Sequence, residues 1–225
     1  MTRYRLAIFD LDGTLVDSFP WFLRHVNDVA DQFAFRRIVA DEIDCLRRAG
    51  AREILARLDV PLWKLPLIAR HMRRLKSRHV DDLALFPGVS EMLRALKNGG
   101  MTLALVSSDS EANARRQLGD EDAALFSEFA CGASLFGKAT KFRRVLKRLG
   151  VDPAYAIAIG DEVRDIEAAR AAGIACGAVT WGYAAPEKLR ALGPDLVFEG
   201  VEPLRVCRRL QILRDWSHGE SQDVP

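Results

Sequence analysis

The most constraining feature of this chain is a series of short apolar runs alternating with helical stretches. "RLAIF" (5–9), "TLALV" (102–106), "FACGA" (129–133), "YAIAI" (155–159), "CGAVT" (176–180) and "LVF" (196–198) each suit a short buried strand. Helical patterns separate the later runs: 87–97, stopped by Gly99-Gly100, then 110–118, 141–149 and 166–172. Such alternation predicts a doubly wound parallel sheet, an α/β Rossmann-like core with helices on both faces. One long block interrupts it. Residues 19–83 are rich in Arg, Leu and Ala, with helical spacing at Phe22, Val26, Val29 and Phe33, and at Ile54, Leu55 and Leu58. The expected division is therefore a core of 1–15 plus 85–225 and an inserted α-helical domain of 16–84. The tail from Ser217 is expected to be disordered.

In open parallel sheets, ligands lie beyond the carboxyl ends of the strands. There the chain places Asp10 and Asp12 after the first run, Ser107 after "TLALV", and Asp161 and Asp165 after "YAIAI". Acids gathered in one cleft repel unless a cation offsets them. Oxygen donors suit a hard ion such as Mg²⁺. Asp10 and Asp161 are the direct metal candidates, with Asp165 in support. An Asp beside a metal can act as a nucleophile toward phosphorus, and Asp12 can exchange a proton with the leaving oxygen and with water. Gly13, followed by Thr14, allows a sharp turn that brings backbone N–H groups to a phosphate. A cationic clamp comes from Lys138 or Lys141, with Lys138 preferred as nearer the strand edge.

"FDLDGTLVDS", "LALVSS", "GKATKFRRVLKRLGV" and "IGDEVRDIEAA" resemble, in order, the four motifs of the haloacid dehalogenase superfamily, over about residues 5–183. The resemblance implies a Mg²⁺ phosphatase of the phosphoglycolate phosphatase-like branch with a helical cap. It implies Asp10 as nucleophile and Asp12 as general acid/base. Ser107, Lys138, Gly13 and Thr14 would contact the phosphoryl group. Asp10, Asp161, Asp165 and the Asp12 backbone carbonyl would form the metal site. Asp12 favours phosphatases over dehalogenases, which lack this second acid. The third motif has Lys138-Ala139 where Lys-Pro is common, and the second has Ser-Ser in place of Thr-Asn.

The cap would select a small phosphorylated metabolite, and Arg47 and Arg52, flanking Gly50, are candidate contacts. The basic segment 70–79 reads as a solvated face. Competing readings are a phosphosugar mutase, which shares every core motif, and a non-catalytic phospho-signalling or binding protein. The net charge of +2 gives no bias toward nucleic acid, and no apolar run is long enough to span a membrane or to serve as a signal peptide. A cytoplasmic monomer or homodimer is expected. The cysteines (Cys45, Cys131, Cys176, Cys207) form no CxxC pair and read as reduced thiols.

Overall fold

A computed structural model describes residues 4–132 and 137–210. The sheet has six parallel strands: β1 (Leu6–Phe9), β2 (Thr102–Val106), β3 (Phe126–Ala130), β4 (Ala156–Gly160), β5 (Ala175–Val179) and β6 (Leu196–Phe198). Their order is β3-β2-β1-β4-β5-β6, so the winding direction reverses between β1 and β4. The crevice of a doubly wound sheet opens at that reversal.

The helices, in chain order, are α1 (Phe19–Phe33), α2 (Ile43–Arg47), α3 (Ala51–Arg57), α4 (Leu65–Arg78), α5 (Val89–Asn98), α6 (Glu111–Ala123), α7 (Lys138–Leu149), α8 (Val163–Ala172), α9 (Pro186–Ala191) and α10 (Pro203–Arg209). Residues alternate across β1: Ala7 and Phe9 join one core with Leu93 of α5, Leu118 of α6 and Val206 of α10, whereas Leu6 and Ile8 join another with Phe142 of α7 and Ile166 of α8. Both faces are thus covered, which is why the strands read as unbroken apolar runs.

Several boundaries differ from expectation. Pro87 does not open α5; Gly88, at φ +88°, makes the turn before Val89. The β3 strand starts three residues early and ends at Ala130, with a register shift where it meets Leu103 and Ala104. The last residue of the expected strand, Ala133, and the tail from Ser217 lie outside the described residues.

Helices α1 to α4 stand between β1 and β2 in the chain. The two connections to this block run together, joined by a Val16–Leu85 bridge and by Asp17 N–H donating to Ala84 O at 2.9 Å. The expected boundaries at 16 and 84 fall on this paired stem. The block also docks on the core: Asn113 Nδ2 donates to Arg73 O at 3.1 Å and Arg116 Nη1 to Ser77 O at 3.0 Å, fastening α4 against α6.

Candidate active site

Asp10 extends the β1 ladder by donating its N–H to Ile159 O of β4 at 2.9 Å. Its carboxylate therefore stands at the crevice mouth. Asp161 follows β4, and Asp165 lies in the first turn of α8, where its Oδ2 accepts from Glu162 N–H at 3.0 Å. All three acids are buried, and each offers an oxygen within 4.8 Å of the others'. Burial raises the Asp10 carboxyl to about 6, with Asp165 adding to the rise against the pull of Lys138. Burial, then the neighbouring Glu162, Asp165 and Asp10, raises Asp161 well above the carboxylate range. Among the described residues this is the one acid, His and Cys cluster with metal-holding geometry, and its donors are all carboxylate oxygens. That donor set fits a hard divalent cation of the Mg²⁺ type rather than a thiophilic metal.

Asp161 is fixed from both sides: Thr14 Oγ1 donates to Oδ1 at 2.8 Å and Tyr183 N–H to Oδ2 at 2.8 Å. Two glycines make room for it. A Cβ at Gly13, where φ is +75°, would come within 2.2 Å of Asp161 Oδ2, and one at Gly182 within 2.4 Å of the same atom. Thr14, expected in the phosphate cradle, is 1% exposed and its hydroxyl serves Asp161 instead.

Lys138 Nζ lies 2.8 Å from Asp10 Oδ2 and also pairs with Asp165. Burial opposes its charge, but the two acids outweigh burial and raise its pKa. Lys141 is differently placed, donating to the backbone carbonyls of Ser107 and Gly132, both at 2.6 Å. Its ammonium braces the turn after β2, while Lys138 faces the acids. Ser107 Oγ accepts from Asp109 N–H at 3.0 Å, and Ser107 lines a small niche with Asp10, Ser108, Lys138, Lys141 and Arg164.

Asp12 is not the isolated proton carrier that its spacing suggests. Lys76, on α4 and itself buried, pairs with Asp12 and lies 3.0 Å from Asp109 Oδ2. Burial favours the neutral Asp12 carboxyl, but the Lys76 ammonium prevails and lowers its pKa. Asp109 is anchored in turn by Asn113 Nδ2 at 2.8 Å and Gln117 Nε2 at 3.1 Å.

Arg47 also departs from its expected part. Its Nε donates to Tyr183 O at 2.9 Å and its Nη2 to Gly182 O at 3.0 Å, with the guanidinium over the Phe19 ring. It latches α2 to the loop that holds Asp161. Arg52 lines a separate cleft beside Lys138 and α8.

Lys76, Asp109, Tyr183 and Arg164 escape the reading of the sequence. Lys76 is 64 positions from Asp12, and no local pattern links them. Arg164 did carry a signal, since it lies between Asp161 and Asp165 where a helix begins at the cleft.

The haloacid dehalogenase-like hydrolase family matches residues 7–179, and the chain belongs to that family. It is 34% identical over 193 residues to a phosphoglycolate phosphatase of Synechococcus elongatus, covering 85% of this chain and 91% of the relative. A phosphoglycolate phosphatase of Chromobacterium violaceum is 33% identical over 219 residues, with 91% and 96% covered. A haloacid dehalogenase-like hydrolase of Streptococcus pneumoniae superposes with a TM-score of 0.76, covering 94% of this chain and all of the other; at 24% identity this shows the shared fold.

Proposed function

We propose that this protein is a Mg²⁺-dependent phosphatase that hydrolyses a small phosphomonoester through an aspartyl-phosphate on Asp10, with phosphoglycolate-like acids as its substrate class. The reading rests chiefly on the cluster of Asp10, Asp161 and Asp165. Its substrate class is suggested by the phosphoglycolate phosphatases of Synechococcus elongatus and Chromobacterium violaceum.

In this reading Asp10, Asp161, Asp165 and the Asp12 carbonyl would hold the cation. When bound, it supplies positive charge that offsets the acids and the phosphoryl oxygens. Lys138 and Ser107 bind and orient the phosphoryl group against Asp10. An Asp10 carboxylate oxygen bonds to phosphorus as the ester P–O bond breaks, and the bond's electrons leave on the substrate oxygen. Asp12, which must enter the step protonated against the pull of Lys76, gives that oxygen its proton. A water then attacks phosphorus, Asp12 takes its proton, and the Asp10–phosphorus bond breaks to release phosphate. The block over 16–84 acts as a cap that covers the cleft and excludes bulk water. Lys76 brings that cap directly to Asp12.

Turnover of 2-phosphoglycolate with Mg²⁺ should stop on chelation with EDTA and return when Mg²⁺ is restored. Beryllium fluoride should be trapped on Asp10. Full turnover after exhaustive chelation, or an adduct on another residue, would refute the mechanism.

A further inference from the structure

A cavity of about 500 Å³ opens on the Asp12 side of the site, between α1, α4 and the turn after β2. Its charged lining comprises Asp12, Arg73, Lys76, Asp109, Glu162 and Arg164. The basic groups differ sharply in how far they are already satisfied. Lys76 is held between Asp12 and Asp109. Arg164 pairs with Glu162 through Nη2, but its Nε is buried with no acceptor. A buried donor without a partner is costly, and a ligand acceptor removes that cost.

Arg73 sits one turn before Lys76 on α4, on the same side of the helix. Its backbone carbonyl is tied to Asn113, yet among the described residues its guanidinium makes no hydrogen bond or ion pair. Two arginines with unfilled donors thus line one cavity from two walls, the insert and the start of α8. Arg164 also lines the niche beside Asp10 and Ser107, whereas Arg73 lines only the leaving-group side.

We propose that Arg73 and Arg164 form a subsite for a second anionic group of the substrate, a carboxylate borne by the leaving group. This deepens the phosphatase reading and rests on it. The planar fork of a guanidinium matches a carboxylate, and a charge-assisted pair fixes its orientation. The subsite selects short phosphorylated acids over neutral esters. Arg47, tied to two backbone carbonyls, takes no part.

The test compares 2-phosphoglycolate with p-nitrophenyl phosphate, in Mg²⁺, for Arg73→Gln and Arg164→Gln. Each variant should lower the ratio of kcat/KM for the acid over the neutral ester by about ten-fold or more, the worth of one charge-assisted hydrogen bond. Arg73→Lys should recover part of the ratio. Calorimetric titration in an Asp10→Asn background supplies a binding readout: Arg73→Gln should weaken 2-phosphoglycolate more than inorganic phosphate. Arg73 is half-buried and unpaired, so folding of that variant is not at stake. Equal losses for both esters would overturn the subsite and leave the phosphatase reading standing. So would a wild type that turns over p-nitrophenyl phosphate but not 2-phosphoglycolate. A wild type with no Mg²⁺-dependent turnover of either ester would overturn the phosphatase reading itself.

Discussion

Lys76 is the residue through which the helical block reaches Asp12, the proposed acid/base. It is buried, and its ammonium lies between Asp12 and Asp109. Removing one partner of a buried ion pair leaves the other charge uncompensated, which costs more than the pair was worth. Lys76→Met should therefore destabilise the protein by on the order of 3 kcal/mol in urea unfolding. Adding Asp109→Asn should recover part of that loss, because the double variant no longer buries the Asp109 charge. Strictly additive losses in the double variant would show that Lys76 and Asp109 do not interact. Neither Lys76 nor Arg73 could be found in the sequence, since basic residues crowd the 70–79 segment and only the helix face distinguishes them from their solvated neighbours. Asp10, Asp161 and Asp165 were legible because each follows an apolar strand, and strand ends converge in a parallel sheet. The Thr14 hydroxyl bond to Asp161 was not legible, because the two residues are 147 positions apart and no local pattern links them.

At the level of elements, the contact between α1 and the end of α4 carries a small cluster of tilted rings. Trp21 lies 4.9 Å from His25, and His25 lies 4.9 Å from His79 at the end of α4, measured between ring centres. Burial, then His79 and Arg24, pull His25 below its ordinary 6.5, while Asp28 and Asp82 pull weakly the other way. The unfolded chain thus takes up a proton at this position before the folded one does. The resulting contribution to stability is present above 6.5 and is lost as pH falls toward the folded value. His25→Gln should flatten the dependence of Tm on pH between about 7 and 5. An unchanged slope would place the acid sensitivity elsewhere. The element pattern itself was readable from the chain because both faces of the sheet are buried. The fine boundaries were not, since the Gly88 turn and the β3 register depend on packing against distant segments.

For the whole molecule, the sheet order brings the ends of β1 and β4 together at the reversal point, and with them three acids that oppose one another when ionised. The fold accepts this cost at one place, and the cation proposed for the site offsets it. Asp10 exposes the balance most directly, because one of its oxygens meets Lys138 and its carboxyl is raised from 3.8 to about 6. In the metal-free protein the folded state holds that proton more tightly than the unfolded chain. Stability from Asp10 is therefore complete below 3.8 and lost as pH rises through about 6. Asp10→Asn keeps the shape and an oxygen for Lys138 but removes the charge. At pH 7 without metal, this variant should be more stable than the wild type, by on the order of 2 kcal/mol. Mg²⁺ at 100 times its Kd should stabilise the wild type by about 2.7 kcal/mol, and Asp10→Asn much less at the same concentration. Scanning calorimetry in EDTA and in Mg²⁺ measures both effects without reference to turnover. If Asp10→Asn is destabilising in EDTA and gains as much from Mg²⁺ as the wild type, Asp10 is neither penalised by its burial nor a ligand of the cation.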